Sequence, residues 1–178
     1  KQSKPFSGYH QRGVPAEDTE ITHTDPETPL GEYMRRFWQP VCMSEQLTDI
    51  PHPIRIMGED LVAFRDKSGQ IGVMTRHCCH RGASLEYGII QEKGIRCCYH
   101  AFQFDVDGML IDAPGEPDNG AKLAETACQG AYPAFERDGL VFAYMGPPEL
   151  KPEFPEFDSF EKYDDTRLVP FTNVFPCN

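Results

Sequence analysis

His77-Cys78-Cys79-His80-Arg81-Gly82 and Cys97-Cys98-Tyr99-His100-Ala101-Phe102 are the two stretches that carry the chemistry of this chain. Each offers thiol and imidazole within one short segment. In an extended segment side chains alternate, so Cys78 and His80 point the same way with about 6.6 Å between their Cα atoms. That separation suits two metal atoms better than one. Sixteen residues lie between His80 and Cys97. The chain holds seven cysteines, and four of them form the adjacent pairs Cys78-Cys79 and Cys97-Cys98, unlike the dispersed pattern of a secreted disulfide framework. Metal is the better reading. In the second stretch two thiols stay open, because Cys98-x-His100 repeats the spacing of Cys78-x-His80. A structural zinc site could also use two Cys and two His, but such sites space their thiolates as one close pair and their histidines as another. A Cys-x-His loop followed by a Cys-x-x-His loop fits that arrangement poorly.

On either side of these loops the sequence has strand period. Ile54 to Met57, Leu61 to Arg65 and Gln70 to Met74 are short runs separated by Gly-Glu-Asp and Asp-Lys-Ser-Gly turns, which reads as an antiparallel meander. Phe102 to Val106 and Met109 to Asp112 flank Asp107-Gly108, a hairpin signal, and Leu140 to Met145 follows Asp138-Gly139. Ala113 to Gly120, rich in Pro, Gly and polar residues, reads as a loop. A helix is expected from Thr28 as N-cap and Pro29 at the first position, with Leu30, Tyr33, Met34, Phe37 and Trp38 on one face, Arg35 and Arg36 at its end, and Pro40 as its stop. The expected fold class is mainly β with a short N-terminal helix. Residues 1–27 are polar and aperiodic, an arm over the surface or a neighbouring subunit; 28–146 form the domain. After Met145 the run GPPELKPEFPEFDSF, with four prolines, reads as a semi-rigid linker or a strap across the domain. Leu168 to Val174 is a candidate further strand.

At 178 residues the chain can bury a real core. Its 28 acidic against 17 basic side chains, a net charge of -11, argue against nucleic acid and an anionic membrane surface as partners. No apolar run approaches the roughly 20 residues that cross a bilayer, and KQSKPFSGYHQRG lacks the apolar core of a signal peptide, so the expected location is cytoplasmic. Because the first residue is Lys1, residues are expected upstream, and a cleaved leader stays open.

The stretches TPLGEYMRRFWQPV, GEDLVAFRDKSGQIGVMTRHCCHRGASLEYG, GIRCCYHAFQFDVDG and YPAFERDGLVFAYMGPPE resemble the N-terminal domain of Rieske non-heme iron oxygenases, and within that group are most similar to the phthalate dioxygenase-like oxygenase components. The likeness covers roughly residues 28–178. It implies a Rieske-type antiparallel β-sandwich with a [2Fe-2S] cluster between two loops at one tip. It also assigns the ligands: Cys78 and Cys97 on one iron, His80 and His100 on the other. Cys97, not Cys98, is the residue that falls on the family position. The chain departs from the usual pattern at Cys79, where a Pro is common, at Cys98, and at His100-Ala101-Phe102, where His-Gly-Trp is common. The disulfide that braces respiratory Rieske loops would need cysteines at Ala83 and Tyr99. Respiratory centres also place hydroxyl donors two and four residues after the second His; Phe102 and Phe104 stand there, so a potential near the low end of the range, roughly -150 mV, is expected.

The same resemblance implies a flavin and iron-sulfur reductase as electron donor. The acceptor would be the mononuclear non-heme Fe(II) of a neighbouring subunit in a homotrimer. The whole enzyme would then be an aromatic ring-hydroxylating or O-demethylating dioxygenase or monooxygenase. No pair of histidines with the spacing of that second iron site is present, so no catalytic residue is expected in this chain, and FTNVFPCN looks like the threshold of a catalytic domain. A stand-alone Rieske ferredoxin is the rival, though usually shorter and lacking both the helical entry and the trailing linker. A zinc-stabilised interaction module is the non-enzymatic one. Among the remaining residues, His10, His23, His52 and His77 are expected at the surface, and Arg81 either beneath the loop or exposed. Phe102, Phe104, Phe142 and Tyr144 are expected in the core. Cys42, Cys128 and Cys177 are read as small buried hydrophobes, and Cys79 and Cys98 as packed thiols or a redox-sensitive pair.

Overall fold

The structure is a computed structural model that describes Pro5, residues 16–158, 168–173 and Phe175. Among these, eleven strands form three antiparallel sheets. The first has the order β1-β11-β10, from β1 (Trp38–Met43), β10 (Ala134–Arg137) and β11 (Leu140–Tyr144). The second is β2-β3-β4-β9, from β2 (His52–Ile56), β3 (Glu59–Arg65), β4 (Ile71–Thr75) and β9 (Ala131–Tyr132). The third is β5-β6-β7-β8, from β5 (Ile89–Ile90), β6 (Ile95–Arg96), β7 (Gln103–Phe104) and β8 (Leu110–Asp112).

The middle sheet explains why Leu61-Val62-Ala63-Phe64 is apolar without alternation. All four are fully buried, because that sheet is covered on both faces. Leu61, Ala63 and Val73 pack with Val141, Ala143 and Met145 of the first sheet's side. Val62, Phe64 and Met74 face the other way and pack with Cys78, Leu85, Ile95, Cys97 and Phe104, so the second core lies directly beneath the two Cys-His loops. Strands β9 and β10 are separated by Pro133 alone, whose carbonyl accepts the Tyr144 N–H at 2.9 Å, and the chain changes sheet there. Burial of these two cores is the dominant favourable term in folding.

The helix begins as the sequence indicates. Thr28 Oγ1 accepts the Gly31 N–H at 3.1 Å and Pro29 is its first residue, but α2, the second of two short N-terminal helices, spans only Pro29–Met34. Trp38 heads β1 and Pro40 lies inside it, against the expectation of a longer helix stopped at Pro40. Tertiary contacts claim these residues. Arg35 is buried and donates to the carbonyls of Thr24 and Met57 and to Glu59 at 2.9, 2.7 and 2.8 Å, which turns the chain into the sheet. Proline is tolerated in β1 because that strand is an edge with a bulge between Pro40 and Cys42.

The Thr24 contact also pins part of the expected arm, where α1 (Thr19–Thr22) forms. The rest of that arm, with His10, lies outside the described residues. The proline-rich run after Met145 is a strap. Trp38 Nε1 donates to the Pro152 carbonyl at 3.1 Å, and Phe154 packs edge-on against Phe135, Phe142 and Trp38. Residues 168–173 form no strand, contrary to expectation, and Val174 is outside the described residues. The excursion after β8 holds a left-handed turn at Asp118 and Asn119 followed by α3 (Ala121–Ala124).

Candidate metal centre

The two loops that join β4 to β5 and β6 to β7 are the same turn made twice. The Cys78 N–H donates to the Ala83 carbonyl at 2.9 Å and the Gly82 N–H to the Cys78 carbonyl at 2.8 Å. In the second loop the Cys97 N–H donates to the Phe102 carbonyl at 2.8 Å and the Ala101 N–H to the Cys97 carbonyl at 3.1 Å. The fifth position is left-handed in both, with φ +71° at Gly82 and +62° at Ala101. This correspondence pairs Cys78 with Cys97, and both are buried, at 3% and 4% exposed. Cys79 and Cys98 take the next position in each turn and are exposed.

The residues singled out in the sequence meet as two pairs, thiol with thiol and imidazole with imidazole. The Cys78 and Cys97 thiols are within hydrogen-bonding reach of each other, and the His80 and His100 rings lie 4.7 Å apart between centroids. Phe102 is core, as expected, and also forms a flat floor for His80, stacked at 4.3 Å with the planes 3° apart. The Nδ1 atom of His100 is buried and has no hydrogen-bond partner. A buried polar atom left unpaired is costly, so this nitrogen is a natural ligand atom.

The protonation tendencies agree. Burial, followed by neighbouring His80 and Arg81, pushes the His100 imidazole below its ordinary value, with Glu116 opposing, so the ring is held neutral, the form that ligates. Burial pushes the Cys78 thiol up to about 12; the His80 backbone N–H lowers it and the nearby Cys97 raises it further. Such a thiol ionises readily only when positive charge binds beside it. Among the described residues no three His, Cys, Asp or Glu side chains gather about one point as a single ion would require. A pair of buried thiols beside one another and a pair of adjacent imidazoles make a donor set that fits a two-iron group.

The other sequence candidates stand apart. His77 is exposed and its Nδ1 pairs with the Gly82 carbonyl at 3.1 Å. His23 and Arg81 are exposed and His52 is half-buried in β2. Cys128 is exposed, not the buried hydrophobe expected, and Cys42 is half-buried, while Cys177 lies outside the described residues. The thiols that influence Cys79 are those of Cys128 and Cys97, so the structure gives no support to a pair with Cys98.

Two supporting residues escaped the sequence. Gln129 is fully buried and bonds the first loop through its side chain, accepting the Cys79 N–H at 2.8 Å. Arg96 donates to the Ala101 carbonyl at 2.8 Å and is fixed by Asp112 at 2.7 Å and by Gln103. Arg96 precedes Cys97 and could have been noticed; nothing near Gln129 marks it.

Residues 37–132 match the Rieske [2Fe-2S] domain family. The chain belongs to that family. The Rieske domain is 62% identical over 99% of its length to the tert-butanol monooxygenase / tert-amyl alcohol desaturase oxygenase subunit of Aquincola tertiaricarbonis, covering 38% of that protein. It is 36% identical over 93% of its length to the phthalate 4,5-dioxygenase oxygenase subunit of Pseudomonas putida, again covering 38%. Its backbone resembles the crystal structure of dicamba monooxygenase bound to dicamba, with TM-score 0.63 and 26% identity over 71% of this chain and 40% of that one. The Rieske domain therefore spans well under half the length of these relatives, and it corresponds to the Rieske part of oxygenase subunits. Among the described residues no helix is long and apolar enough to cross a membrane.

Proposed function

We propose that Cys78, His80, Cys97 and His100 hold a [2Fe-2S] cluster and that this chain is the electron-entry domain of an oxygenase. When bound, the cluster supplies a one-electron couple. The observation that carries the assignment is the buried, unpartnered Nδ1 of His100, whose ring lies beside His80, together with the two buried thiols of Cys78 and Cys97 within reach of each other. Cys78 and Cys97, buried with Phe104 and Leu85, would hold one iron, and His80 and His100, half-buried, would hold the other on the side from which electrons are exchanged. Phe102 excludes water from one face of His80 and, like Phe104, offers no hydroxyl donor, which favours a potential near roughly -150 mV.

In the complete protein, residues 1–27 serve as an arm, 28–146 as the Rieske domain and 147–178 as the linker into a catalytic domain that carries mononuclear non-heme iron. Its electrons come from a flavin and iron-sulfur reductase, and the assembly is a cytoplasmic homotrimer in which a neighbouring subunit's iron receives them. The relatives support an oxygenase over a free-standing ferredoxin. Their names span alcohol monooxygenation and desaturation as well as aromatic dioxygenation, so the substrate need not be aromatic.

Iron and acid-labile sulfide analysis, with EPR of the dithionite-reduced chain, tests the assignment. Two irons and two sulfides with a rhombic reduced signal are expected. Zinc without iron, or a strongly positive midpoint potential in a redox titration, would overturn the cluster or its poise respectively.

A further inference from the structure

We propose that Gln129 is the positioning residue of the first cluster loop, fixing the backbone on both sides of Cys78 and thereby governing how firmly the cluster is held. This rests on the ligand assignment above and deepens it. Gln129 has no exposed surface, and a fully buried amide is stable only with its hydrogen bonds made. Its Oε1 accepts the Cys79 N–H at 2.8 Å. Its Nε2 faces three acceptors, the Thr75 carbonyl at 2.7 Å, the His77 carbonyl at 3.0 Å and Thr75 Oγ1. These bonds use both ends of the amide in their only compatible sense, oxygen to N–H and nitrogen to carbonyl.

The residues touched are informative. The His77 carbonyl and the Cys79 N–H belong to the two peptides that flank Cys78, so one side chain grips the backbone on both sides of a thiol, one residue before an imidazole. Gln129 is anchored in turn: its own N–H donates to the Gly108 carbonyl at 2.8 Å, and a Cβ on Gly108 would come within 1.9 Å of the Gln129 carbonyl. Gly130 accepts the Thr75 N–H at 2.7 Å, closing a second link to the end of β4. The second loop is braced locally by Arg96; the first is braced from fifty residues further along the chain. An amide at 129 with no role in the centre would not need to meet the ligand loop on both sides of Cys78 and also the strand that leads into it.

The test uses the cluster-loaded chain and measures iron release to a strong chelator, the reduced EPR spectrum and hydrogen exchange. Gln129→Leu keeps the bulk and abolishes every side-chain bond; Gln129→Glu keeps the acceptor to Cys79 but turns an oxygen toward the carbonyls. Tyr132→Phe removes a hydroxyl bonded to Glu59, away from the loops, and controls for general loss of stability. Iron release is expected to accelerate at least about tenfold in Gln129→Leu, the effect of leaving one buried polar group unpaired. Gln129→Glu should fall between it and the unaltered protein with shifted g-values, and Tyr132→Phe should leave both readouts unchanged. If neither Gln129 variant can be prepared, the unaltered protein decides: the Cys79 amide should exchange at least about a hundredfold more slowly than a free amide although its side chain is exposed. Unchanged release and g-values in Gln129→Leu, release accelerated equally by Tyr132→Phe, or a rapidly exchanging Cys79 amide would overturn the role of Gln129. An unaltered chain that takes up no iron and sulfide would instead sink the ligand assignment.

Discussion

Ala101 and Gly82 occupy the same left-handed position of the same turn, yet one carries a Cβ and the other does not, which sets up paired substitutions of opposite sign. A residue with a side chain in the left-handed region carries roughly 1–2 kcal/mol of strain. Replacing Ala by Gly removes that strain and gives back about 0.4–1 kcal/mol through the greater freedom of the unfolded chain. The net expectation is that Ala101→Gly stabilises by about 0.5–1 kcal/mol. Gly82→Ala should destabilise by a similar amount, because a Cβ built at Gly82 meets nothing within 4 Å and backbone conformation is the only term left. In a chain of this size each kcal/mol moves the thermal midpoint by about 2–4 °C, so the two variants should differ by several degrees at one fixed scan rate. Urea midpoints with unchanged slope would show that stability, and not compactness, has moved. A destabilised Ala101→Gly together with a neutral Gly82→Ala would refute the equivalence of the two turns.

Cys97→Ser should abolish iron binding while Cys98→Ser retains it, read by iron and sulfide content; the reverse outcome would move the second thiolate ligand one residue along. Asp66 is buried, which by itself raises its carboxyl, but hydrogen bonds from Gly94, Ser68 and Gln70 hold it below the ordinary carboxylate value. Its folded value being depressed, the stability it contributes is present above about pH 4 and lost as pH falls further, so Asp66→Asn should lower the urea midpoint at pH 7 and flatten its decline in acid. An equal acid decline in both proteins would exclude Asp66 as the cause. Phe154→Ala should free the strap from the chain's single tryptophan, red-shifting Trp38 emission and costing about 1–2 kcal/mol of stability, since Phe154 is only half-buried; unshifted emission would mean the strap is held by other contacts.

The antiparallel class, the central meander of β2, β3 and β4, and the two segments rich in thiol and imidazole were legible in the residues, because they depend on local things: residue types at fixed spacing, and apolar runs cut by turn formers. Residue types alone also marked Thr28 and Pro29 as a helix start. Strand period gave no warning of β5, β6 and β9, each two residues long, since a period cannot be seen in two residues. The fate of Trp38 and Pro40 was decided at a distance, by the buried Arg35 and by the aromatic cluster with Phe135 and Phe154.

Between Cys97 and Cys98 the sequence offered two equal thiols, and only a resemblance preferred one. Tertiary structure separates them physically: the repeated turn buries Cys97 opposite Cys78 and leaves Cys98 in solvent. Gln129 belongs wholly to that second category. Its chemistry is that of any glutamine, and it acquires a role only because Gly108, Thr75 and the first loop converge around it in the folded chain. What this sequence determined by itself is which segments offer thiol and imidazole; which of those groups face one another, and what holds them there, is set by packing between residues too far apart in the chain for any local pattern to record.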